Sequence, residues 1–153
     1  MNFECSTIYT IGYEGLLIEE FTSKLKYYNI SILVDVRKNP ISRKRGFSKK
    51  KFAKALDAEG IKYFHFPRLG IDSSFRKELD MKNPDSYKKL FAFYDKNIIP
   101  VAEDDIHEII QLATGDNNIA LTCFEQDYHY CHRSRIAKEI SSIGDEKVRI
   151  LHI

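Results

Sequence analysis

The chain has no tryptophan, only three cysteines, and no apolar run long enough to cross a bilayer. A membrane helix needs about 20 apolar residues, whereas the apolar stretches here are as short as Ile32-Leu33-Val34. An odd, small number of cysteines argues against a disulfide framework of the kind that holds small secreted domains together. Met1-Asn2-Phe3-Glu4 lacks the basic start and apolar core of a signal peptide, so a cytoplasmic protein with no membrane partner is expected. Glycine is also sparse where it would signal a cofactor. Gly12-x-x-Gly15 is too short for the dinucleotide fingerprint, and the sequence leaves the cofactor unknown. A formal charge of +2 is too small for a general nucleic-acid coat.

What is present is a 153-residue chain with 43% apolar residues, enough for one domain, residues 1–153, to bury a core without staples. The charge is unevenly spread. Eight basic residues and no acidic one lie between Arg37 and Lys51, whereas acidic residues gather elsewhere, as at Glu103-Asp104-Asp105. A local basic segment suggests one anionic small molecule or a nucleic acid as partner. A homo-oligomer is compatible with the composition.

Hydrophobic periodicity divides the chain into alternating strands and helices. Strands are expected over 6–11, 30–36, 61–66, 118–124 and 147–153, and helices over 16–28, 49–59, 85–97, 101–113 and 134–143. Ser48 is the expected N-cap of the second helix and Gly60 its stop. Residues 71–83 read as polar, irregular or briefly helical. The alternation predicts an α/β fold: a mostly parallel sheet of about five strands with helices on both faces, three-layered and loosely Rossmann- or rhodanese-like. Right-handed crossovers then bring every strand-to-helix loop to one edge, where ligands of such sheets sit.

The polar residues all follow strands. Tyr13 follows the first, Asp35 and Arg37 end the second, Arg68 follows the third, and Cys123, Glu125 and Cys131-His132-Arg133 follow the fourth. Glu125, Cys131, His132 and Asp35 are therefore the candidate catalytic residues, and Arg37, Arg45, Arg68, Arg133, Tyr13 and Ser42 the candidate substrate-binding ones. Cys131, just ahead of a helix and flanked by His132 and Arg133, suits a lowered thiol pKa. Cys123 reads as wall, and Cys5 as structural. Zinc-type donors occur in Cys123, Glu125, Cys131 and His132, with His129 nearby. Their spacing matches no recognised zinc pattern, and no metal is assigned. An ion-paired network is the competing reading, Asp35 joining Arg37 or Arg133 and Glu125 another arginine.

Taken in order, several segments resemble the family catalogued as domain of unknown function 488. They are Tyr9-Thr10-Ile11-Gly12-Tyr13-Glu14-Gly15, Leu33-Val34-Asp35-Val36-Arg37 with Pro40 and Ser42, Gly46-Phe47-Ser48, Gly60-Ile61-Lys62-Tyr63 with Leu69-Gly70, Cys123-Phe124-Glu125 and Cys131-His132-Arg133-Ser134. The resemblance implies an α/β fold and a shared site drawn from these segments. A looser likeness is to rhodanese sulfurtransferases, which also carry a Val-Asp-Val-Arg strand end. A phosphatase C-x5-R loop is absent, because Ala137 stands six residues after Cys131. Two functions remain open: an enzyme acting on a phosphorylated, nucleotide or nucleic-acid substrate, and a non-catalytic module binding nucleic acid or protein through residues 37–51.

Overall fold

The computed structural model describes residues 7–144 and 148–153. Cys5, Ser6 and Lys147, for which a structural thiol and two strand ends are expected, lie outside the described residues. Five strands form one open, wholly parallel sheet: β1 (Thr7–Gly12), β2 (Ile32–Asp35), β3 (Lys62–His65), β4 (Ile119–Cys123) and β5 (Arg149–His152), in the order β3-β2-β4-β1-β5. β2 and β4 are buried along their whole length, as central parallel strands must be. Their side chains alternate between two cores. Ile32, Val34, Ile119 and Leu121 point to one face, and Leu33 and Ala120 to the other.

Crossover handedness explains which helix covers which face. Connections from β1 to β2 and from β2 to β3 run in one direction along the sheet, so α1 (Ile18–Tyr27) and α2 (Lys49–Ala58) share a face. Phe21, Leu25, Phe52 and Leu56 fill that side. Connections from β3 to β4 and from β4 to β5 run the other way. They place α4 (Pro84–Phe93), α5 (Glu103–Leu112) and α6 (Arg133–Ile143) on the opposite face through Leu90, Ile106, Ile109, Ile136 and Ile140. The chain leaving β2 and the chain leaving β4 therefore diverge from neighbouring strands. That divergence opens a crevice at their carboxyl ends, the usual ligand position in such sheets.

The elements match the periodicity to within two or three residues at most ends, and three local features differ. The 71–83 stretch contains a short helix, α3 (Ser73–Lys77), capped by Asp72, whose carboxylate accepts from Ser74 N–H. The fourth helix does not stop at a turn but widens into a π-turn at Tyr94–Ile98, where the buried Tyr94 hydroxyl donates to Leu69 O at 2.6 Å. Ser48 precedes α2 as expected, yet its hydroxyl does not cap the helix. It bonds Ser42 instead, accepting from the N–H and donating to the carbonyl, both at 3.0 Å, which folds the basic loop back on itself.

The edge strand β5 carries a titrating anchor. His152 Nδ1 lies 2.5 Å from Thr10 Oγ1, and its ring stacks on Tyr128. Burial, then the charges of Arg133 and His129, hold its pKa below the ordinary histidine value. The unfolded chain thus takes up a proton on His152 before the folded chain does. Stability from this group is full above about pH 6.5 and is lost as pH falls toward the depressed folded value. Urea denaturation between pH 7 and pH 5 is expected to show falling stability in the wild type and a shallower fall in His152→Gln. Equal slopes would remove His152 from the account.

Candidate functional site

The end of β2 is held from every side. The Asp35 carboxylate, fully buried, accepts from Arg37 N–H at 3.1 Å, from Arg37 Nε at 2.9 Å, from Arg37 Nη2 at 2.7 Å and from the Tyr63 hydroxyl at 2.5 Å. Burial works against the Arg37 charge, but the bonds and charge of Asp35 outweigh it and raise the arginine's pKa. Burial and the Asp35 charge likewise push the Tyr63 hydroxyl up, so it stays a donor. Arg37 then spends Nη1 on Tyr13 Oη at 3.2 Å and on the Phe47 carbonyl at 2.7 Å. The three carbonyls of 35–37 are also taken, by Phe66 N–H, His132 Nε2 and His65 Nε2 in turn.

The end of β4 is shaped by a close approach. Tyr13 and Glu14 extend the β1–β4 ladder onto the carbonyls of Cys123 and Phe124. A Cβ on Gly12 would collide with the Glu125 carbonyl, so only glycine lets these two loops meet. Gly70 plays the same part against the Lys38 backbone. Arg133 donates to the carbonyls of Glu125 at 2.6 Å and Gln126 at 3.2 Å, fixing the loop after β4 to the start of α6. Burial lowers its pKa to about 10, against the pull of Glu125 and Asp127.

Between these two strand ends lies a cleft of about 240 Å³, lined by Tyr13, Arg37, Lys38, Arg76, Glu125 and His132, among others. The Glu125 carboxylate faces it, with Oε1 2.8 Å from Arg76 Nη1 and Oε2 3.5 Å from Cys123 Sγ. His132 is buried; its Nε2 donates to Val36 O at 2.8 Å, and Nδ1 has no partner among the described residues. Burial keeps its pKa below the ordinary value, so the ring is neutral at neutral pH.

A family model for Domain of unknown function DUF488 matches residues 17–140, most of the chain. The protein belongs to the DUF488 family. The matched span begins after the Tyr9–Gly15 segment and includes every later segment on which the resemblance rests. Neither a curated protein nor a solved structure matches the chain.

For this DUF488 protein the structure gathers some of the expected site residues and disperses others. Tyr13, Arg37, Glu125 and His132 border the cleft. Asp35 lies beneath it, consumed by Arg37 and Tyr63. Arg133 is turned toward backbone carbonyls. Cys131 is fully buried and disulfide-bonded to Cys123. An accessible thiolate nucleophile at Cys131 is therefore not what this arrangement presents, and Cys123 is a bonded partner as well as wall. Ser42 serves the basic loop, where its hydroxyl accepts from Lys44 N–H. Arg45 is exposed on that loop, and Arg68 lies outside the cleft but lines the larger cavity beside it, bonded to Val101 O and 3.7 Å from Asp105.

The cleft residues missed by sequence reasoning are Arg76 and Ser73, whereas Lys38 and Asn39 belong to the basic segment expected to meet an anion. Arg76 and Ser73 belong to the short α3, whose polar sequence carries no strong period.

The Asp35 hub yields a stability test. Asp35→Asn keeps the shape but leaves the Arg37 charge buried without its counter-ion, which is expected to cost about 3–5 kcal/mol in urea denaturation. Tyr63→Phe removes one bond to a carboxylate and should cost about 1.5 kcal/mol. A loss under about 1 kcal/mol for Asp35→Asn would show that the pair does not organise the strand end.

Proposed function

We propose that the protein is an enzyme acting on a phosphorylated small molecule, a nucleotide being the class that fits best, with Glu125 as its proton-transferring group. One observation carries this reading: a carboxylate and two cationic side chains, Lys38 and Arg76, border one concave cleft between the diverging ends of β2 and β4. Ligand sites favour that position in open α/β sheets. Guanidinium and ammonium groups bind phosphoryl oxygens by charge-assisted hydrogen bonds.

The neighbouring cavity supplies room for the rest of such a substrate. It measures about 460 Å³, shares Lys38 with the cleft, and is walled by Phe75, Phe93, Ile98 and Val101. Phe75 and Phe93 stack on each other at 4.1 Å, which makes an aromatic surface of the kind a base packs against. α3 stands between the two spaces, giving Arg76 to one and Phe75 to the other. The π-turn borders the larger cavity, and such turns are often retained at functional sites.

Magnitudes favour an exchangeable role for Arg76. Its pair with Glu125 is partly solvated, at 32% and 15% side-chain exposure. Such pairs are worth about 1 kcal/mol or less, whereas a bidentate bond to a phosphate is stronger. An arriving phosphoryl group draws Arg76 away and leaves the Glu125 carboxylate free to accept a proton. The exposed cations Arg43, Arg45, Lys49, Lys50 and Lys51 support the competing module that binds nucleic acid through residues 37–51.

A panel of nucleotides and sugar phosphates, read by thermal shift and by turnover, separates the two. Arg76→Ala and Lys38→Ala should each weaken ligand binding about 10-fold or more. Glu125→Gln should lower turnover at least about 100-fold with binding retained. Replacing Arg43, Lys44 and Arg45 together by alanine should leave small-ligand binding unchanged. If that triple variant alone abolishes binding, with a reduced salt slope for nucleic acid, the module reading wins.

A further inference from the structure

We infer that the dithiol form of Cys123 and Cys131, together with His132 and Glu125, is a binding site for one zinc-class divalent metal ion at the floor of the cleft. Cys123, Cys131 and His132 are all buried, and their donor atoms lie within 4.8 Å of one another. The second and independent observation is the His132 ring. Its Nε2–H is committed to the Val36 carbonyl, so the unprotonated lone pair sits on Nδ1, buried and without a partner among the described residues. Leaving a buried acceptor unsatisfied is costly, so a partner for that lone pair is favoured. Metal-binding histidines have this same arrangement, with the second ring nitrogen donating to a carbonyl or carboxylate.

Glu125 stands outside the trio gathered within 4.8 Å but approaches one of its sulfurs closely enough to serve as the fourth donor. Tetrahedral coordination with a metal–sulfur bond near 2.3 Å and a metal–oxygen bond near 2.0 Å separates sulfur from oxygen by about 3.5 Å. Cys123 Sγ and Glu125 Oε2 are 3.5 Å apart. The same geometry needs about 3.8 Å between two sulfurs. The Cα atoms of Cys123 and Cys131 are 7.3 Å apart, wider than the usual disulfide span of about 4.4–6.8 Å. That width leaves space for the thiolates to part around an ion. Two thiolates, an imidazole and a carboxylate are donors that favour zinc over magnesium or calcium. Arg133 Nη1, 3.7 Å from Cys123 Sγ, favours the thiolate there.

The disulfide and the metal site are alternative states of one pair. Opening the bridge takes two electrons and two protons, which a phosphine and water supply in the test. Each thiol then releases its proton as the metal binds. Protein carrying Cys5→Ser, so that only Cys123 and Cys131 report, is reduced, stripped with a chelator and titrated anaerobically with Co²⁺. The expected result is one ion per chain, a near-ultraviolet thiolate-to-cobalt band and the intense visible bands of tetrahedral coordination. Zn²⁺ should displace the cobalt.

Cys131→Ser and His132→Gln should each weaken cobalt binding at least about 100-fold, and Glu125→Gln about 10-fold with the thiolate band retained. A second measurement needs no core substitution. In the Cys5→Ser protein, Zn²⁺ should slow the reaction of both thiols with a disulfide reagent, and excess chelator should restore it. Absence of the cobalt band with unchanged thiol reactivity overturns the inference, as does an undiminished band in folded Cys131→Ser. Neither readout uses a phosphorylated ligand, so failure here is distinct from failure of the substrate reading.

Discussion

The buried ion pair of Asp35 and Arg37 is the constraint on which the rest of this edge of the sheet depends. Asp35 sits at the last position of a strand buried on both faces. A carboxylate there is tolerable only with a full set of donors, and Arg37 and Tyr63 provide them. Arg37 in turn ties Tyr13 from the loop after β1 and Phe47 from the basic loop. One charge pair thereby fixes the mutual positions of four segments that follow or flank three different strands. A well-packed apolar pair could match it in stability, but it could not direct hydrogen bonds to a hydroxyl and a carbonyl at the same time. Its contribution here is directional.

How much of this was legible in the sequence follows from the same residues. Strand and helix placement came from apolar periodicity, and the handedness of crossovers then placed the strand ends together. Which arginine keeps donors unspent was not legible. Arg37 and Arg133 look like anion binders in the sequence, but the fold spends them on a carboxylate and on backbone carbonyls. An arginine has five donors, and only the tertiary structure says how many are already taken. Arg76 lay in a polar stretch without periodicity, so nothing in the chain marked it as the partner of Glu125. The pairing of Cys123 with Cys131 was hidden for a similar reason. A spacing of eight residues says little until the loop between them is seen to turn back under the start of α6.

The cleft combines groups with contrasting demands. Arg76 and Glu125 are partly exposed and paired with each other, the arginine more open to solvent than the carboxylate. Beneath them the sulfurs and the His132 ring are buried, away from solvent charge. The layering places the charged pair toward solvent and the sulfurs and imidazole toward the core. Glu125 belongs to both layers, since one carboxylate oxygen meets Arg76 and the other approaches Cys123. Displacing Arg76 would therefore change the charge felt by the buried sulfur below.

The two ends of the site are also linked through the backbone of β2. His132 has its lone pair on Nδ1 because Nε2–H points to the Val36 carbonyl. Val36 keeps that carbonyl in place because its neighbours on both sides are clamped, Asp35 to Arg37 and Tyr63, and Arg37 O to His65. If the strand end loosened, the ring would be free to turn, and its buried lone pair would no longer be held in one direction. Lone-pair direction in a neutral imidazole is set by the bond its other nitrogen makes. The Asp35–Arg37 pair thus helps to set which nitrogen of His132 carries the lone pair, through the backbone of the strand end between them.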